Sequence, residues 1–181
     1  MIEDKLLIWR FKYGDRAALA RIYEKYKTDL LRIATGLSND TSIAEDIVHD
    51  VFVTFAQSSD KLKLSGNLKG YLATSVVNRV RNVNRAGRRQ QAVSADETEN
   101  LMPDSNVLER WIIHGEELYR LNNAMSQLPY QQREVVIMHL QGGMKFRAIA
   151  KSQNVSINTV QSRYRYGLDK LRSLLNSEVE K

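Results

Sequence analysis

Apolar residues recur every three or four positions along most of the chain, the spacing that places side chains on one face of an α-helix. Leu19, Ile22, Tyr23, Tyr26, Leu30, Ile33 and Ala34 make a first stripe, which stops at Gly36 and the polar run Ser38-Asn39-Asp40-Thr41. A second stripe, Ile43, Ile47, Val48, Val51, Phe52 and Phe55, predicts a helix capped by Thr41 or Ser42. Glu45 and Asp46 are expected in its first turn, where the helix dipole favours acids. A third helix is expected from about Leu68 to Arg85, with Leu72, Val76, Val80 and Val83 inward and the arginines largely outward; the polar stretch from Gln57 to Gly70 leads into it. The period is lost between Gln90 and about Leu108. It resumes with Leu118, Leu121, Ala124, Met125 and Leu128 up to Pro129, then with Val135, Val136, Met138 and Leu140 up to Gly142-Gly143. The only prolines are Pro103 and Pro129, so little interrupts helix formation, and the pattern predicts an all-α protein.

Composition refines this picture. A chain of 181 residues has room for one ordinary domain or two small ones. The aperiodic stretch turns acidic and gains Ser, Asp, Asn and a proline, as expected of a tether between two small helical domains. The expected division is residues 1–90, a flexible linker at 91–115, and residues 116–181. Net charge is +6 overall but unevenly spread: +5 from Asn78 to Arg89, −6 from Ala92 to Glu117, and +6 from Gln131 to Leu175. Two basic blocks flanking an acidic one point to an anionic partner. No run approaches the roughly 20 apolar residues that span a bilayer. The N-terminus lacks the layout of a secretory signal, so a cytoplasmic protein without membrane insertion is expected. With no cysteine and only His49, His114 and His139 as soft ligands, thiol and metal chemistry have little to work with.

The most specific pattern is KFRAIAKSQNVSINTVQSRYRYGLDKLRSLL. A short helix, about Lys145 to Ser152, and a longer one, about Ile157 to Leu175, are separated by a tight turn at Gln153 to Ser156, which is helix-turn-helix spacing. Ile149, Ala150, Val155, Val160 and Leu168 would pack the pair together. Asn154 stands where the turn needs a left-handed residue, and Ser156 where the second helix needs a cap. Asn158, Thr159, Gln161, Ser162, Arg165 and Tyr166 can hydrogen-bond base edges or phosphates. The basic third helix carries Asn78, Arg79, Asn82, Arg85, Arg88 and Arg89; it suits a phosphate backbone or single-stranded bases, and equally a merely solvated face. Asp46, His49 and Asp50 form a polar strip on the second helix, solvated or matched to a basic protein surface; it is a poor metal site. Glycine-rich phosphate loops, HExxH and G-x-S-x-G are missing, so nothing supports an enzyme of those classes.

Taken in order, these pieces resemble the extracytoplasmic-function sigma factors, the smallest members of the main bacterial sigma family, which direct RNA polymerase to particular promoters. AEDIVHDVFVTF resembles the family's polymerase-binding helix, usually AEDLVQEVFLRLW, and LKGYLATSVVNRVRNVNRAGRR resembles its promoter-recognition helix. The stretch from Leu118 to Leu175 is similar throughout to the family's upstream-element domain, through LPxxQREVxxxxxxxG followed by IAxxxxVSxxTVxSRxxRxxxKLR. The resemblance implies a non-enzymatic specificity subunit with no catalytic residue, metal or cofactor. Its partners would be core RNA polymerase, promoter DNA and a sequestering anti-sigma factor. Asp46, His49 and Asp50 would meet the clamp helices of the largest polymerase subunit, and the upstream-element domain would meet the polymerase flap. Asn78 and its neighbours on the third helix would read the downstream element, and the loop from about Asp60 to Lys69 would capture a flipped base. Ser156, Thr159, Gln161, Ser162, Arg165 and Tyr166 would face the upstream element.

The chain also departs from the family pattern. Val77 stands for a usual Arg and Asn82 for a usual Asp. Lys145-Phe146-Arg147 replaces a serine cap with two acids, a change of roughly 1 kcal/mol against the helix, and fits Lys145 and Arg147 as phosphate contacts. Two rival readings are a free-standing helix-turn-helix regulator and a protein-interaction module with a decayed recognition helix.

Overall fold

The computed structural model describes residues 2–58, 67–93 and 116–177. Among these residues the chain forms eight helices and no strand: α1 (Ile2–Lys12), α2 (Arg16–Ser38), α3 (Thr41–Gln57), α4 (Leu68–Val93), α5 (Glu116–Ser126), α6 (Tyr130–Leu140), α7 (Phe146–Gln153) and α8 (Ile157–Ser177). The all-α expectation is borne out. The expected linker lies almost wholly outside the described residues.

Local chemistry sets most helix ends. Asp15 caps α2 by accepting from the amides of Ala17, at 2.9 Å, and Ala18. Asn39 ends α2 in the left-handed conformation, φ 58°, with its N–H on the Thr35 carbonyl. Asp40 then caps α3 through the Ile43 amide at 2.9 Å. The expected cap at Thr41 or Ser42 is therefore corrected to Asp40. Glu45 and Asp46 consequently sit beyond the first turn rather than in it, too far along to complement the dipole well.

The first four helices close around Ile22, Leu30, Ile33, Ile47, Phe55 and Leu72, each 2% exposed or less. Burying side chains of this size contributes roughly 1.5–3 kcal/mol apiece. Phe11 stacks on Phe55 with ring centroids 5.2 Å apart, and Tyr23 meets Phe52 edge-on. Helix α1 is the element the apolar pattern did not reveal. Leu7 and Phe11 face the core while Leu6 and Trp9 face outward, so apolar residues occupy both sides and no 3.6-residue period emerges.

Helix α6 is central to the remaining half. Arg133 to Met138 are buried around its whole circumference, because α8 and α7 cover one side and α2 and α4 the other. At Gly167, a Cβ would come within 3.0 Å of Val136 Cγ2, so the glycine lets α8 approach α6. Likewise a Cβ at Gly36 would lie 2.9 Å from Ile137 Cδ1, where α6 crosses α2. Leu121 and Leu140, both expected in buried stripes, are 38% and 59% exposed. Leu140 closes α6 just before the turn at Gly142, beyond the reach of the helices that bury Val135 to Met138.

The two halves share one apolar core and a polar seam. Arg133 donates to the Asn39 side-chain carbonyl at 3.0 Å, and Thr74 to the Met144 sulfur at 3.7 Å. Arg81 of α4 forks onto Glu134 of α6, with Nε at 3.0 Å from Oε2 and Nη2 on Oε1.

Candidate nucleic-acid interface

The helix-turn-helix geometry is built as its spacing implies. Asn154 takes the left-handed conformation, φ 53° and ψ 47°, and its N–H returns to the Ala150 and Lys151 carbonyls. The Ser156 hydroxyl accepts from the Thr159 amide at 3.0 Å and caps α8. Ile149, Ala150 and Val160 are buried between α7 and α8, with Val155 and Leu168 packed against them. This leaves one face of α8 to solvent. Thr159, Gln161, Ser162, Arg165 and Tyr166 share it. Arg165 lies over the Tyr166 ring at 5.1 Å and reaches its hydroxyl at 3.4 Å. Ser156 stands at the edge of the face, its hydroxyl engaged by the cap and by Thr159 Oγ1 at 2.8 Å. Lys145 precedes α7 without any side-chain cap, and Lys145 and Arg147 are both exposed at that helix start. The loss of a cap expected there is borne out.

On the other half, Asn78, Arg79, Asn82 and Arg85 are exposed along α4, and Asp46, His49 and Asp50 along α3. The two strips meet. Arg79 pairs with Asp50 at 2.6 Å across an open groove of about 420 Å³, lined also by Tyr71, Ser75, Asn78 and Asn82. Residues expected to face different partners are thus each other's neighbours. Tyr71 and Ser75 escaped sequence reasoning, although their spacing to Asn78 and Asn82, one helical turn at a time, is the signal that could have found them. Helix α4 includes Arg88 and Arg89, whose side chains lie outside the described residues; so does most of the Asp60–Lys69 loop.

Arg81 departs from the outward placement expected of the α4 arginines. Its guanidinium turns toward α6, bonding Glu134, the Ser152 carbonyl at 3.1 Å and the Asn78 side-chain carbonyl at 3.1 Å. Glu134 in turn accepts from Gln153, which accepts from Arg163 at 2.8 Å. The hydrogen bonds to Glu134 raise the Arg81 pKa above its ordinary value. Burial pushes the neighbouring Tyr130 phenol up to about 12, helped by the Glu134 charge. Val77, where the resembled family has an arginine, is fully buried one turn before Arg81. Among the described residues no group of acids and histidines could hold a metal, and no helix is long and apolar enough to cross a membrane.

A helix-turn-helix with an exposed polar face, on an all-helical chain with a second basic helix, defines a DNA-binding protein. Known proteins agree. Residues 22–90 match the profile of sigma-70 region 2, and residues 118–171 that of sigma-70 region 4. The chain is 24% identical over 175 residues to the extracytoplasmic-function RNA polymerase sigma factor SigK of Mycobacterium bovis, covering 94% of this chain and 92% of that one. It is 26% identical over 161 residues to the sigma factor RpoE of Cereibacter sphaeroides, covering 88% and 87% of the two chains. In fold it is similar to CnrH bound to the cytosolic domain of CnrY, with TM-score 0.70, 19% identity, and 97% and 98% of the two chains covered. It is also similar to the sigma factor RpoE bound to the anti-sigma factor NepR from Bartonella quintana, with TM-score 0.65, 24% identity, and 86% and 97% covered. The chain belongs to the sigma-70 family, in its extracytoplasmic-function group, and its activity is to direct initiation of transcription by RNA polymerase.

Proposed function

We propose that residues 1–90 dock on core polymerase and engage melted downstream promoter DNA, that 91–115 tether, and that 116–181 read the upstream element as duplex. The observation that carries this division is the pair of exposed polar faces, on α4 and on α8, which lie on helices far apart in sequence that pack into one shared core. The α8 face fits the major groove: Arg165 and Gln161 can form paired hydrogen bonds to base edges, and Thr159 and Ser162 can bind bases or phosphate. Ser156 supports that face as the cap of its helix, and Tyr166 adds apolar contact. Lys145 and Arg147, on an uncapped helix start, take phosphates of the same duplex. Arg147→Ala should lower upstream-duplex affinity and flatten its salt dependence by about one unit.

On the other half, Asn78, Arg79, Asn82 and Arg85 meet the downstream element, continued by Arg88 and Arg89. Asp46, His49 and Asp50 meet the clamp helices of the largest polymerase subunit. The groove between α3 and α4, with Tyr71 for stacking and two asparagines for hydrogen bonding, together with the Asp60–Lys69 loop, takes the unstacked base. Polymerase, through clamp and flap, holds both units on one promoter and raises their effective concentration, so neither needs to bind DNA tightly alone. CnrH and the Bartonella RpoE, each solved with its partner, support an anti-sigma factor as the restraint on this chain as well. The protein acts in the cytoplasm as a monomer until polymerase takes it up, and needs no cofactor.

Transcription in vitro from sheared genomic DNA, with sigma-free core polymerase, tests the assignment. Discrete transcripts whose starts share two spaced upstream motifs are expected with the protein and not without it. Transcripts unaffected by Arg165→Ala would remove the α8 assignment.

A further inference from the structure

The Arg81–Glu134 pair joins the basic helix α4 of one half to α6 of the other, and its placement is unlike that of an ordinary surface ion pair. Glu134 is 2% exposed, and its carboxylate receives both the Nε and Nη2 groups of Arg81 in the forked arrangement that guanidinium also makes with phosphate. Along α4, Asn78, Arg81, Asn82 and Arg85 are spaced three, four and seven residues apart and share a face. Three of the four are exposed; Arg81 alone is turned aside, its side chain 25% exposed, and it holds the Asn78 carbonyl with it.

We infer that Glu134 occupies the place of a DNA phosphate at Arg81: in this packed arrangement the carboxylate withdraws Arg81 from the DNA-facing strip of α4, and separation of the two halves hands Arg81 to the promoter backbone. This deepens the reading of α4 as the downstream-element helix and rests on it. Glu134 is suited to the exchange because it keeps a second partner, Gln153, that belongs to its own half. After separation it is still hydrogen-bonded and newly hydrated, so the carboxylate is not stranded as an unpaired buried charge. Arg81 gains more, since a strand of phosphates replaces one carboxylate. The seam therefore opposes DNA binding by the free chain and is released by whatever draws the halves apart, core polymerase included.

The chain lacks cysteine, so Arg32→Cys on α2 and Lys170→Cys on α8, both exposed, accept a dye pair that reports separation in the full-length protein by energy transfer. Affinity is read with a fluorescent single-stranded oligonucleotide of mixed sequence, because a phosphate contact needs no promoter. Glu134→Gln keeps an acceptor for Gln153 but removes the charge. It is expected to lower energy transfer, tighten DNA binding roughly three- to tenfold, and steepen the salt slope by about 0.7. Arg81→Ala should lower energy transfer equally without any gain in binding, and the double variant should behave like Arg81→Ala.

Unchanged energy transfer in both single variants overturns the inference. So does a binding gain that survives in the double variant. Arg81→Ala also supplies a check if Glu134→Gln does not fold: with core polymerase holding the halves apart, it should weaken open-complex formation several-fold, and an unaltered open complex counts against the exchange. A wild-type chain that yields no transcripts with core polymerase would instead remove the promoter reading, leaving the free-chain comparison standing on its own.

Discussion

The two helices with exposed polar faces, α4 and α8, differ in how they are held. The polar face of α8 is prepared by chemistry within a few residues of it: the left-handed Asn154, the Ser156 cap and the small Ala150. Arg165 on this face bonds its immediate neighbour, Tyr166. The face of α4 is engaged by neighbours far away in sequence, Arg79 by Asp50 and Arg81 by Glu134. One helix presents its polar face to solvent, and the other has Arg79 and Arg81 held by carboxylates of other helices. A recognition surface assembled locally is exposed by construction; one assembled by packing can be covered by the same packing.

The comparison can be broken most sharply in the core that joins the halves. Phe55→Ala and Ile149→Ala empty fully buried sites on opposite sides of the seam and should each cost about 2–5 kcal/mol in urea-induced unfolding. If the shared core makes the halves one cooperative unit, each variant shifts a single transition. A separate early transition in either variant would show that the halves unfold independently and that the seam is weak. Arg165→Ala tests the prepared face itself, and should lose about 1–3 kcal/mol of discrimination between the upstream element and a mismatched duplex while leaving the melting temperature unchanged.

Smaller effects sharpen the contrast. Ser156→Ala removes the cap of α8 and should cost about 1 kcal/mol in thermal unfolding, with a matching loss of upstream-duplex binding as the first turn frays. Asp50 and Arg79, both about half exposed, should couple by less than about 1 kcal/mol in a double-mutant cycle of stability, in keeping with a pair that yields readily to an outside partner. The pH response is the mildest. Tyr130 has its pKa raised from 10.0 to about 12 in the folded protein, so its protonated form is favoured by folding. The stability it contributes is complete below pH 10 and is lost as pH rises toward 12. Wild type should therefore lose stability more steeply than Tyr130→Phe across that interval, as measured by urea unfolding at successive pH values.

Much of this protein was legible in its sequence because the information was local. The stripes at Ile22 to Ala34 and Ile47 to Phe55 specify helices through a period of 3.6 residues, and each stripe is buried as that period requires. The helix-turn-helix could be read to the residue because a tight turn leaves few choices: a left-handed position needs Asn or Gly, and a new helix needs a hydroxyl or carboxylate at its start. Where the local signal was doubled or absent, reading failed. Asp40 caps α3 although Thr41 and Ser42 follow it with equal capping chemistry, and α1 was concealed by apolar residues on both of its faces.

What tertiary structure alone decided is the fate of the charges. An arginine at position 81 looks, in sequence, like the arginines at 79 and 85, and a glutamate at 134 looks like any solvated helical residue. Their pairing depends on the crossing of α4 and α6, which no local rule specifies. Helical periodicity determines which side of a helix is buried, because it reflects transfer of apolar surface from water. Which charged group meets which is settled only when distant segments meet, because a charge is satisfied by any opposite charge of suitable geometry and the sequence does not say which one arrives.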